Sequence, residues 1–193
     1  MPGGADTLAT SRLRRLARRS AERREAPVER CELCSAPIAA DHRHLMEPAS
    51  RELLCACRAC ALLFDRGGRY KLVPTRRQRL DDVELDWEAL RLPVDIAFFL
   101  HSSAEDRDMA FYPSPMGATE SQLPFELPLL RTLEPDVEAL LVDRHLGARE
   151  HWIVPIDDCF RLVGVIRTHW RGLTGGREVW AEIGRFFADL ERR

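Results

Sequence analysis

CELCSAPIAADHRHLMEPASRELLCACRACALLF, residues 31–64, decides how the first part of this chain folds. It holds two Cys-x-x-Cys pairs, Cys31/Cys34 and Cys57/Cys60, separated by residues 35–56. Each pair presents two sulfurs from one knuckle, and two knuckles supply four thiolates at about 2.3 Å from one tetrahedral ion. The separation exceeds the roughly 15–20 residues usual between such pairs, which a longer hairpin accommodates. Free cysteines also pack as small hydrophobes, but chance burial accounts poorly for two matched pairs. Cys31, Cys34, Cys57 and Cys60 are therefore the expected ligands of one metal ion, zinc before iron.

The residues around the pairs suggest how the site is enclosed. His42 to Met46 reads as a strand, Pro48-Ala49-Ser50 as a turn, and Glu52 to Cys55 as the return strand. From Arg58 the run Ala59-Cys60-Ala61-Leu62-Leu63-Phe64 is rich in helix formers and stops at Asp65-Arg66-Gly67-Gly68. Knuckle, hairpin and a helix carrying the second pair in its first turn make a treble-clef or ribbon-like zinc module. The helix N-terminus also favours thiolates at Cys57 and Cys60. A rubredoxin-type iron site uses the same pairing, but its knuckles normally run on through glycine, where this chain has Ser35 and Ala61. Three neighbours can substitute as ligands. Cys55 falls on the strand face of Cys57, and His42 and His44 share a face of the preceding strand.

Working outward, 193 residues suffice for one main domain and a small satellite. A composition of 45% hydrophobic and 31% charged residues is that of an ordinary globular chain. The net charge of -2 argues against general polyanion binding. No run approaches the ~18 apolar residues of a membrane span, and residues 1–30 lack the layout of a secretory signal. A cytoplasmic location is the expectation, and a reducing compartment makes metal ligation a better use of six cysteines than disulfides.

Three regions follow. Residues 1–30 form a basic arm, with eight arginines between Arg12 and Arg30 against three glutamates, read as a solvated tail or fraying helix. A nucleic-acid role for it is the weaker reading, because no aromatic residue interleaves the arginines to stack on bases. Residues 31–75 form the four-cysteine module, closed by a strand over Arg69–Val73. Residues 76–193 form an α+β domain that begins with a polar connector and short helix over 76–90. Strands are expected at Val94–Leu100 and Met109–Tyr112, with regular structure halting at Pro113. Pro135 to Val142 fits either a helix start or a strand. Two further strands are expected at Trp152–Ile156 and Phe160–Arg167, the second on its β-branched alternation. Glu178 to Arg192 reads as an amphipathic helix burying Val179, Ile183, Phe186, Phe187 and Leu190. The fold class is thus α+β, an antiparallel sheet domain with a C-terminal helix behind a metal module.

Catalytic constellations are thin: the chain has no Gly-rich phosphate loop, no His-Glu-x-x-His and no Gly-x-Ser-x-Gly. Cys159 beside Phe160 reads as a core residue rather than a nucleophile. An enzyme is the weaker expectation.

Several strings taken together carry a resemblance. CELC followed by HRH, then CACRACALLF, VDIAFFLHS, FYPSPMGATES, EALLVDR, HWIVPIDDCFRLVGVIRTHWRG and TGGREVW span about residues 30–190. They resemble an uncharacterised group of bacterial, mainly actinobacterial, proteins encoded beside uptake NiFe hydrogenases. The resemblance implies a non-catalytic accessory protein in hydrogenase maturation, assembly or electron supply, whose partner is a hydrogenase subunit or maturation factor. A rubredoxin-like redox or metal-handling protein and a zinc-dependent nucleic-acid binder are the alternatives.

Overall fold

The computed structural model describes residues 28–65, 68–81 and 83–192. Two antiparallel sheets and, among the described residues, four α-helices give an α+β fold that ends in a long helix. Of the basic arm read over residues 1–30, only residues 28–30 fall within that description, and Arg30 bridges to Pro37.

The small sheet holds β1 (Arg43–Glu47), β2 (Glu52–Ala56) and β3 (Lys71–Leu72) in the order β2-β1-β3. β1 and β2 form the expected hairpin, in register from Arg43 opposite Ala56 to Glu47 opposite Glu52. Helix α1 (Arg58–Phe64) follows at once. Leu45, Ala56 and Ala61 pack with Cys31 and Cys60 into a core of its own. That core is small. Met46, Leu53 and Val73 face the other way and join the core of the large sheet.

The large sheet comprises β4 (Gln78–Leu80), β5 (Ile96–Ser102), β6 (Arg107–Ser114), β7 (Gly117–Glu120), β8 (Glu138–Asp143) and β9 (Glu150–Pro155). Its order is β4-β9-β8-β5-β6-β7. β5 and β8 are buried along their whole length because both faces of the sheet are covered. Phe98, Met109, Leu141 and Trp152 face α3 (Ile156–His169) and α4 (Gly176–Arg192). Ala97, Phe99, Leu140 and Ile153 face the opposite side. There the cover is Leu130, Leu133, Phe125 and the short helix α2 (Trp87–Leu90). Strands buried on both faces read as continuous apolar runs, here IAFFL in β5 and ALLV in β8.

Helix α4 buries the five residues that its periodicity selects, Val179, Ile183, Phe186, Phe187 and Leu190. Other expectations need correcting. Phe160–Arg167 is not a strand but the body of α3. Ile156, Cys159, Leu162, Val163 and Ile166 are buried at helical spacing. Asp157 and Asp158 occupy the first turn, while Arg167 and His169 occupy the last, each suited to the helix dipole. β6 does not halt at Pro113 but runs through it to Ser114. Pro113 pairs with Ala118 beyond the last β6 residue matched to β5, so its missing N–H breaks no bond on that side. Of the two readings for Pro135–Val142, the strand is observed as β8, and β4 appears within the expected connector.

Candidate metal centre

The first knuckle is a tight turn in which the Ser35 N–H donates to the Cys31 carbonyl at 2.8 Å and the Cys31 N–H to the Ala36 carbonyl at 2.8 Å. Ser35 sits at φ 61, the left-handed conformation that a glycine would adopt without steric penalty. The second knuckle is built differently. Cys57 caps α1, its Sγ accepting the Cys60 N–H at 3.4 Å, and the Ala61 N–H closes on the Cys57 carbonyl at 2.9 Å. The two knuckles are tied together by the Glu32 N–H donating to the Cys55 carbonyl at 2.9 Å.

These elements bring together the four sulfurs of Cys31, Cys34, Cys57 and Cys60, all within 4.8 Å of one another. Cys34 Sγ and Cys57 Sγ stand 3.7 Å apart. A tetrahedral ion with thiolates at about 2.3 Å has sulfur–sulfur edges of about 3.8 Å, which the Cys34–Cys57 edge matches. None of the six cysteines is disulfide-bonded. Cys31 and Cys60 are buried, Cys57 is half-buried and Cys34 is exposed.

The thiols differ in their readiness to ionise. Burial pushes Cys31 up, but the backbone N–H groups of Cys57, Leu33 and Cys34 outweigh it and bring the thiol down to about 6. The Cys60 N–H lowers the Cys57 thiol. Burial, reinforced by the neighbouring sulfurs, pushes Cys60 up to about 12. Four sulfurs this close resist ionising together unless a cation balances them.

The three substitute ligands assemble elsewhere. His42, His44 and Cys55 form a second group, whose ligand atoms also lie within 4.8 Å of one another and which shares no residue with the first. His44 sits opposite Cys55 in the β1–β2 register, so both project from one face. What the sequence did not suggest is the partner from the large domain: His44 Nδ1 is 2.9 Å from Asp157 Oδ2, in the first turn of α3.

The small sheet is fastened to the large domain by charged contacts as well as by Met46, Leu53 and Val73. Lys71 Nζ lies 2.8 Å from Asp136 Oδ2, and Arg77 Nε donates to Asp158 Oδ2 at 2.6 Å. Cys159 lies fully buried in the large core, and burial holds its thiol well above the usual range, as a packed neutral group would be. Among the described residues no helix is long and apolar enough to cross a membrane.

The chain matches, over residues 30–193, a family of unknown function, DUF5947. It belongs to that family. No curated protein and no solved structure matches the chain.

Proposed function

We propose that Cys31, Cys34, Cys57 and Cys60 hold one structural zinc ion in a treble-clef-like module, and that the protein is a non-catalytic accessory factor acting through protein contacts. The observation that carries this reading is the sulfur cluster, whose 3.7 Å edge between Cys34 and Cys57 fits a tetrahedral thiolate site. The knuckle, β1–β2 hairpin and α1 supply ligands in the order a treble clef does. The core of the module argues for a clamp. Leu45, Ala56 and Ala61 are its buried residues apart from the ligand cysteines. A buried leucine contributes only about 1.5–3 kcal/mol, whereas a structural zinc contributes about 10–16 kcal/mol.

The asymmetry of the two knuckles favours zinc over a rubredoxin-like iron centre, in which both loops are alike. The first knuckle does not discriminate, because Ser35 adopts the conformation that glycine supplies in such loops. Beside the cluster, α1 exposes Leu62, Leu63 and Phe64, at 66%, 75% and 39%. Contiguous apolar residues exposed on a helix suit a protein partner. The resemblance to proteins encoded beside NiFe hydrogenases supports a hydrogenase subunit or maturation factor as that partner.

The test is co-expression of the chain with hydrogenase structural subunits, followed by affinity purification and metal analysis. A retained subunit, lost in Leu62→Asp/Leu63→Asp while the zinc stays, supports the reading. If zinc is bound but no subunit is retained, the accessory role is wrong and the clamp stands.

A further inference from the structure

The second group, His42, His44 and Cys55, has no part in the four-cysteine cluster, and its surroundings are those of prepared ligands. His42 Nδ1 lies 2.8 Å from the Ala39 carbonyl. A carbonyl only accepts, so the proton is on Nδ1 and Nε2 carries the lone pair. That Nε2 is buried and has no hydrogen-bond partner among the described residues, on a side chain only 9% exposed. A buried polar atom without a partner is uncommon and calls for a missing ligand, water or ion. His44 also has its Nδ1 against an acceptor. Its Nδ1 faces Asp157 Oδ2 at 2.9 Å, on a side chain 25% exposed, which turns Nε2 away from that carboxylate. Metal-bound histidines characteristically give their other N–H to a carboxylate or a carbonyl. Here one histidine has each.

We infer that His42, His44 and Cys55 form a second metal site, separate from the four-cysteine cluster, for a zinc-like divalent ion. The two imidazole rings stand 4.8 Å apart at 64°, and the three ligand atoms lie within 4.8 Å of one another. A tetrahedral ion with nitrogen at about 2.0–2.1 Å and sulfur at about 2.3 Å has edges near 3.3–3.6 Å. Small side-chain rotations cover the remaining distance. Two neutral imidazoles and one thiolate leave a divalent ion with a single excess positive charge, and Asp157 behind His44 offsets it. Three protein ligands leave a fourth position for water or a small anion. Both histidines line a cleft of about 1020 Å³ shared with Arg77, Asp157, Phe160 and Arg161. The fourth position would open there. Because Asp157 belongs to α3 and His44 and Cys55 to the small sheet, the site also joins the two parts of the fold.

The full chain, stripped of metal under reductant, would be titrated with Zn²⁺ against a chromophoric chelator and weighed by native mass spectrometry. Two equivalents are expected. His44→Ala and Cys55→Ser should each bind one, held by the four-cysteine cluster. Substitution with Co²⁺ separates the two: the thiolate charge-transfer bands of the four-cysteine site persist in His44→Ala. Asp157→Asn keeps all three ligands and should weaken Zn²⁺ at this site about 10–100-fold, with circular dichroism unchanged. One equivalent in the wild-type chain overturns the inference, as do two equivalents undiminished by His44→Ala and Cys55→Ser. Loss of a single shared ion in Cys55→Ser also overturns it, since Cys55 would then belong to the first cluster.

Discussion

Replacing Asp158 with alanine should be among the most damaging single changes outside the apolar core. Its side chain is 4% exposed and accepts from Arg77 Nε at 2.6 Å, with Arg161 Nη2 at 3.2 Å. Arg77 lies in the segment leading out of the small sheet, whereas Asp158 and Arg161 lie on α3, so the carboxylate ties that segment to the helix. A hydrogen bond between charged groups contributes about 1.5–3 kcal/mol. The Arg161 contact is longer and a third exposed, so it belongs at or below the low end. A carboxylate in the first turn of a helix adds about 0.3–1 kcal/mol. Together these reach about 2–5 kcal/mol, which overlaps the range found when one partner of a buried pair is removed. For a chain of this size 1 kcal/mol moves Tm by about 2–4 °C, so Asp158→Ala should melt roughly 4–20 °C lower. Thermal unfolding by circular dichroism in saturating zinc reads this directly. Arg79→Ala is the control. Its contact with Glu191 joins two half-exposed side chains, and such pairs contribute about 0–1 kcal/mol. If Asp158→Ala melted within the range of that control, the carboxylate would not be holding α3 against the small sheet.

Three other outcomes follow from the same coordinates. Gly175 has φ 83, and a Cβ there would meet Val179 Cγ1 at 2.8 Å and the Trp170 ring at 3.1 Å. Gly175→Ala should therefore cost about 1–3 kcal/mol in urea unfolding, and a neutral result would mean that the α3–α4 turn is looser than described. Burial pushes the Asp136 carboxyl up, but the hydrogen bonds from Lys71 and Ser103 outweigh it and hold it below the usual carboxylate range. A folded pKa below the unfolded one gives stability that is present above the unfolded value of about 3.9 and is lost as pH falls through the folded one. Asp136→Asn should flatten that acid limb, and an unchanged pH profile would contradict the Lys71–Asp136 contact. Cys159→Ser places a hydroxyl in an apolar core at about 1–3 kcal/mol, read as a lower Tm with metal content unchanged. Metal loss in Cys159→Ser would show that this residue does more than pack.

The strongest periodicities in the sequence were legible. Helix α4 carries charges between five apolar residues at helical spacing, and β5 carries an apolar run because both sheet faces are covered, whereas the run in β8 also fitted a helix start. Helix α3 was misread because Phe160, Leu162, Val163, Val165 and Ile166 also satisfy a short strand pattern. The deciding features were Asp157 and Asp158 in its first turn, whose charged partners Arg77 and His44 lie far off in sequence. β4 went unseen because Gln78–Leu80 is a three-residue edge strand paired only with β9, with a single apolar side chain. The four-cysteine cluster could be read from spacing alone, since its geometry is local to two knuckles. The grouping of His42, His44 and Cys55 could not be separated from it. What separates them is the β1–β2 register and the contact of His44 with Asp157, 113 residues further along.

Metal content is the most direct test of the four-cysteine centre. The chain would be purified from cells supplied with both zinc and iron, then measured by mass spectrometry beside a visible absorption spectrum, with Cys31→Ser and Cys60→Ser in parallel. Colourless protein carrying zinc, with zinc lost and the module melted in each variant, is the predicted result. Iron with thiolate charge-transfer bands, or zinc retained with unchanged melting in both variants, would contradict a zinc clamp at Cys31, Cys34, Cys57 and Cys60.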